Sequence, residues 1–168
     1  MKHPLSVDQA LEAREQGRHA VAIRALVHWA ERGDGTAFHM LGFMYDTGQG
    51  TRRNRKKALY WYLRAYRSGW AIAASNIATM YRDSLQPRLE FAWYKRAAAL
   101  GDGDALVDVG IRYLSGKGVR RSVPKAVTCF RAALRSGLIC EASRDAARQL
   151  LWGCGTRARG GVANGRRA

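Results

Sequence analysis

Four histidines, His3, His19, His28 and His39, are the first side chains to test for metal or acid–base chemistry. No pair stands at a ligand spacing such as HExxH with its carboxylate, so the sequence predicts no metal site. His19 and His28 are expected on helix surfaces. Three cysteines, Cys129, Cys140 and Cys154, form no CxxC and cannot all pair within one chain, which points to reduced thiols and a cytoplasmic protein. Cys154, in "WGCGTR", is the thiol expected to be exposed and reactive. The segments "GDG" (33–35 and 101–103), "GQG" (48–50) and "GKG" (116–118) hint at phosphate loops. None leads into the Gly-Lys-Ser/Thr that ends a Walker loop, and a helix stop followed by an N-cap explains each "GDG". No nucleophile, base and carboxylate fall into a set. The chain is therefore expected not to be an enzyme and to need no cofactor.

Its most conspicuous chemistry is charge. The stretch "TRRNRKKA" packs five basic residues into the six positions from Arg52 to Lys57, within a chain of 29 Lys and Arg against 13 Asp and Glu, net +16. Such a balance bears on solubility and partners and says nothing about fold. Arginine dominates, which hints at a bacterial, GC-rich coding sequence as much as at selection for bidentate contacts. With 168 residues, 47% hydrophobic and 25% charged, the composition is that of one globular domain. No window approaches the ~18 apolar residues of a membrane span, and the N-terminus lacks the apolar core of a secretory signal.

The elements that must position these residues are internal repeats. "AFHMLGFMYDTGQG" from Ala37 and "ALVDVGIRYLSGKG" from Ala105 share Ala37/Ala105, Gly42/Gly110, Tyr45/Tyr113, Gly48/Gly116 and Gly50/Gly118. The alignment continues without a gap through Lys57/Lys125, Ala58/Ala126, Tyr62/Phe130, Ala65/Ala133 and Gly69/Gly137. A middle copy keeps Ala73, Ile77, Ala78 and Tyr81, then Trp93, Tyr94, Ala97 and Gly101, but lacks both loop glycines and four residues between its halves. A partial copy ends at Gly33. Ala37, Leu41 and Tyr45 lie on one helical line, as do Ala58, Trp61, Tyr62 and Ala65, so each unit reads as a helix hairpin with Tyr45, Trp61 and Tyr62 filling its interior. Asn54 and Ser122 are expected N-caps, Gly69 an αL stop, and Pro124 a first-turn proline. The expected organisation is a solenoid over 1–155, with a partial unit 5–35, units 36–70, 71–103 and 104–137, and a capping helix at 140–152. A basic disordered tail is expected over 156–168.

Alanine, Leu-Gly, Tyr, Gly-x-Gly, Lys-Ala, Trp-Tyr, Ala and Gly in this order resemble the Sel-one-like repeats (SLR), relatives of the tetratricopeptide repeats, over about residues 20 to 140. Three positions depart: Asn54 and Ser122 replace the usual acid, Glu90 replaces an alanine, and Cys129 takes the place of Trp61. The resemblance implies an all-α, right-handed superhelix of stacked hairpins. It also implies a protein–protein adaptor whose first helices line a concave face. Carried over by position, that face would offer His39, Phe43 and Asp46, then Ser75, Thr79 and Arg82, then Val107, Ile111 and Leu114. An extended or helical segment with one apolar end would suit the series. Alternatively, Val107, Ile111 and Leu114 pack beneath the capping helix.

In repeat register, Arg52, Arg53, Arg55, Lys56 and Lys57 match Lys117, Arg120, Arg121 and Lys125, whereas the middle copy is neutral there. Stacking at the ~10 Å of packed helices would set two positive patches about 20 Å apart on one edge. Three function classes follow. The first is an adaptor for an acidic protein partner; the second is a nucleic-acid-associated protein; the third is an enzyme, for which no residue set speaks. Trp61, Tyr62, Trp93 and Tyr94 are expected in the core, which weighs against base stacking. Plain solvation of the repeat edges also accounts for the charge. No membrane insertion is expected, and the sequence leaves the oligomeric state open.

Overall fold

The structure, a computed structural model, describes residues 5–160, with side chains described as far as Cys154. Among the described residues the regular elements are all helices: α1 (Val7–Glu15), α2 (His19–Glu31), α3 (Gly35–Thr47), α4 (Arg55–Arg67), α5 (Ala71–Asp83), α6 (Pro87–Ala99), α7 (Gly103–Ser115), α8 (Val123–Arg135) and α9 (Glu141–Gly160). From α2 to α8 every helix has 13 residues, so the residues missing from the middle copy come out of its connector. That connector is 84–86, against 48–54 and 116–122 in the full copies.

The helices start where polar side chains cap them. Asp34 accepts from the Ala37 amide at 2.7 Å, Asp102 from Ala105 at 2.9 Å, and Asn54 from Lys57 at 3.0 Å. Ser122 makes the equivalent contact with Lys125. Each such cap is worth about 1 kcal/mol. The two "GDG" segments thus serve helix starts. Every second helix is then pinned to the first by one repeated hydrogen bond. The amides of Asn54, Gln86 and Ser122 donate to the carbonyls of Tyr45, Tyr81 and Tyr113 at 2.8, 2.9 and 2.8 Å. The short connector keeps this bond by placing Leu85, with no glycine available, at φ +55°.

The chain divides within α5, between Ile77 and Ala78, into two units. In the first, α1 pairs with α2 and α3 with α4, and α2 packs on α3. Small residues let the backbones approach: Ala22, Ala30, Ala37, Ala58 and Ala65 are fully buried. Gly42 has no room for a side chain, because a Cβ there would stand 2.5 Å from the ring of Tyr62. Gly50 carries φ +70°, and a Cβ on it would collide with His19 at the start of α2.

In the second unit α7 pairs with α8, α6 packs on α7, and α9 covers α7 and α8. The same devices recur: Phe130 closes over Gly110, and Gly118, at φ +77°, abuts the Pro87 carbonyl at the start of α6. Phe130 is fully buried, which contributes about 2–3 kcal/mol. Helix α9 begins within the expected capping segment and continues to Gly160, past Gly155, where the sequence reading starts a disordered tail. The remainder of that tail, 161–168, lies outside the described residues, as does His3.

Candidate interaction surfaces

In the first unit, the first-helix candidates are each tied to neighbours. His39 stacks on Trp70, with centroids 5.6 Å apart and planes at 16°, and its Nε2 lies 3.1 Å from Asn76 Nδ2. Burial holds its imidazole below the ordinary histidine pKa, so it is neutral at pH 7. Phe43 is half-buried, with the Arg14 guanidinium 5.7 Å above its ring. Asp46 receives Arg53 twice, through its backbone carbonyl at 2.6 Å and its carboxylate at 3.5 Å. Ser75 is half-buried on α5.

The second unit holds a polar cluster that sequence reasoning missed. Glu90, at the fourth position of α6, is fully buried where the neighbouring copies have Ala58 and Ala126. Its Oε1 accepts from Arg112 Nη2 on α7, whose side chain is 11% exposed. Glu90 Oε2 and Arg112 Nε have no hydrogen-bond partner. Asp108, one turn before Arg112, has its carboxyl pKa raised, chiefly by burial and against the pull of Arg112 and Arg82. Burial likewise raises the Tyr94 phenol, which interacts with Thr79 and accepts from Arg82 at 3.3 Å. The available signal was Glu90 itself: a charge on a line of buried alanines calls for a cation on the facing helix.

Thr79 is half-buried and Arg82 exposed. Val107 is 4% exposed in a core with Phe130 and Ala147, against which Ile111, Leu114, Leu150 and Leu151 pack. Of the two readings left open by the sequence, packing beneath the final helix describes Val107, which has almost no surface to offer a partner. Ile111 and Leu114 keep part of theirs.

Several of the connector cations have structural duties. Arg53 and Arg121 repeat one contact, donating to the carbonyls of Asp46 and Leu114 at 2.6 and 2.9 Å. Lys57 and Lys125 repeat another, over the rings of Tyr45 and Tyr113 at 5.1 and 5.6 Å. Arg52, Lys56, Lys117 and Arg120 are exposed, and Arg55 is half-buried.

Two other expectations need correction. Trp61 and Trp93 are half-buried rather than core, because each is roofed by an arginine one turn on. Arg64 lies 5.4 Å from Trp61 and 4.2 Å from Phe38, and Arg96 lies 4.5 Å from Trp93. Tyr62 and Tyr94 are buried as expected. The exposed thiol is Cys140, whose sulfur accepts from the Ser143 amide at the start of α9, whereas Cys154 and Cys129 are half-buried. Burial raises the Cys129 pKa. His19 and His28, expected on helix surfaces, are half-buried, with the side chain of His19 against Gly50 and His28 beside Arg32. Among the described residues no group of three His, Cys, Asp or Glu side chains is placed to hold a metal ion.

Comparison with known proteins agrees with this register. The Sel1 repeat family matches residues 37–70, 91–102 and 103–138, leaving out α5 and its shortened connector. The ERAD-associated E3 ubiquitin-protein ligase component HRD3B of Arabidopsis thaliana is 29% identical over 115 residues, which is 67% of this chain and 18% of that protein. The crystal structure of a Sel1 repeat protein from Oxalobacter formigenes superposes with a TM-score of 0.70 at 24% identity, covering 79% of this chain and 56% of that one. The structure of c5321, a protective antigen of uropathogenic Escherichia coli displaying an SLR fold, gives 0.69 at 27% identity over 86% of this chain and 32% of its own. The chain thus spans only part of each relative's length.

Proposed function

This chain belongs to the Sel1-repeat family, and on that premise we propose that it is an adaptor whose first helices bind a segment of a protein partner. One observation carries the reading. Among the residues that recur between copies, Ala37, Gly42, Ala58, Tyr62 and Ala65 are buried in the hairpin, whereas the first-helix candidates, which differ between copies, keep exposure in eight of nine cases: His39, Phe43, Asp46, Ser75, Thr79, Arg82, Ile111 and Leu114. Residues spent on the fold cannot discriminate partners, and residues that vary at a solvent boundary can. In the first unit Phe43 is the apolar anchor. In the second, Ile111 and Leu114 would take the partner's apolar end, beside the polar Thr79 and Arg82.

An acidic partner is favoured by the net charge of +16, which draws it in from a distance. The first helices themselves contribute little to that attraction, because α3, α5 and α7 hold Asp46, Asp83, Asp104 and Asp108 against Arg82 and Arg112. The three cysteines are unpaired and fit a reducing cytoplasm. Among the described residues no helix is long and apolar enough to cross a membrane.

The test is affinity capture with the full chain against a Phe43→Ala/Arg82→Ala variant of unchanged helicity. The variant should lose a protein that the parent retains. An identical captured set would remove the first helices from the binding face.

A further inference from the structure

The positive charge is sorted by helix type. In the first unit α4 carries Arg55, Lys56, Lys57, Arg64 and Arg67 and no acid, while α3, its hairpin partner, carries no Lys or Arg and one acid, Asp46. The second unit repeats the bias. Helix α8 holds Lys125, Arg131 and Arg135 without an acid, and the only acid of α6 is Glu90, buried against Arg112. Connectors account for only part of the excess.

On α4 the positions Lys56, Tyr60, Arg64 and Arg67 follow an i, i+4, i+8, i+11 line, so they share one face at a spacing of about 6 Å along the axis. Lys56 and Arg67 are exposed, and Tyr60 is 54% exposed. Between them the Arg64 guanidinium lies over Phe38 at 4.2 Å and near Trp61 and Tyr60 at 5.4 and 5.9 Å. Tyr60 meets Trp61 edge to face at 4.9 Å. The face therefore alternates exposed cations with planar groups held in place, Tyr60 edge-on to Trp61 and Arg64 over Phe38. Among the described residues no ion pair engages Lys56, Lys57 or Arg67.

We infer that the outward face of α4 binds single-stranded nucleic acid. Lys56, Lys57 and Arg67 neutralise phosphates, and Tyr60 with the Arg64 plane stacks unpaired bases. Both planar groups stand at the surface, where an unpaired base can reach them and a base inside a duplex cannot. An acidic peptide would use the cations but would gain nothing from the aromatic stack. This surface lies on a second helix and is separate from the adaptor face.

The experiment is fluorescence anisotropy of a labelled oligothymidylate with the full chain over a series of salt concentrations. Three phosphate contacts predict a log–log slope of about −2. Tyr60→Ala should weaken binding about tenfold and leave the slope unchanged. Lys56→Ala with Lys57→Ala should reduce the slope by about 1 to 1.5. All three side chains are exposed, and because Lys57 also lies over the Tyr45 ring, retained helicity and Tm check the fold. Absence of binding at ~50 mM salt overturns the inference. Displacement by polyglutamate at equal charge concentration does so too, because it identifies a face for acidic protein. Binding that survives both variants places nucleic-acid contact elsewhere and removes α4 from it.

Discussion

Replacing Glu90 by the alanine that its neighbouring copies carry should destabilise the protein, although it restores the repeat pattern. In Glu90→Ala the Arg112 guanidinium, 11% exposed, loses the carboxylate that compensates it. Breaking a buried pair from one side costs about 3–5 kcal/mol. Asp108 already attracts Arg112 and would take over part of the compensation, which places the loss at the lower end, about 3 kcal/mol. The helix-propensity gain of alanine returns only a few tenths of a kcal/mol. For a chain of this size that is a fall in Tm of roughly 6–12 °C. Glu90→Ala/Arg112→Leu removes both charges and should return to within about 1 kcal/mol of the parent, because a buried pair replaced by apolar side chains is close to neutral. Thermal and urea unfolding at pH 7 measure the four corners of this cycle. A Glu90→Ala variant within 2 °C of the parent, or a double variant as unstable as the sum of the singles, would refute the claim that the pair is coupled.

Other consequences are measurable in the same way. Leu85→Gly should stabilise by about 1 kcal/mol, since Leu85 holds φ +55° while 82% exposed and little packing is lost with its side chain. His39 has its pKa lowered by burial, so the unfolded chain binds the proton more readily and stability should fall as pH drops through 6.5. His39→Gln should flatten the difference in Tm between neutral and mildly acidic buffer. Asp108 has its pKa raised, so the folded state favours the protonated form and stability is lost as pH rises above 3.8. Asp108→Asn should therefore raise Tm at pH 7, and the gain should vanish below pH 3.8.

The repeat register, the hairpin units and the caps were legible in the chain because each depends on spacing a few residues apart, whereas the end of α9 was not. Asn54 caps Lys57 three positions on, as its place before the second helix predicts. The sorting of charge by helix could also have been read from the sequence. Counting cations along the connectors hid it, whereas counting them by helix reveals it.

Other features needed the fold. Trp61 and Trp93 occupy apolar-stripe positions, and the packed structure places each under an arginine instead of in the core. Cys140, directly before α9, is the exposed thiol, and Cys154 is half-buried within that helix. Val107 shares its register position with His39 and Ser75, yet it is the one buried, in a core that it forms with Phe130 and with Ala147 of α9. By itself the sequence determined a hairpin repeat, its capping and its excess of positive charge, all properties of short-range spacing and composition. The tertiary structure alone decided which charges are buried, which aromatics reach the surface and which variable positions stay open. Those outcomes depend on which helix covers which, and Glu90 meets its cation only when α6 and α7 pack.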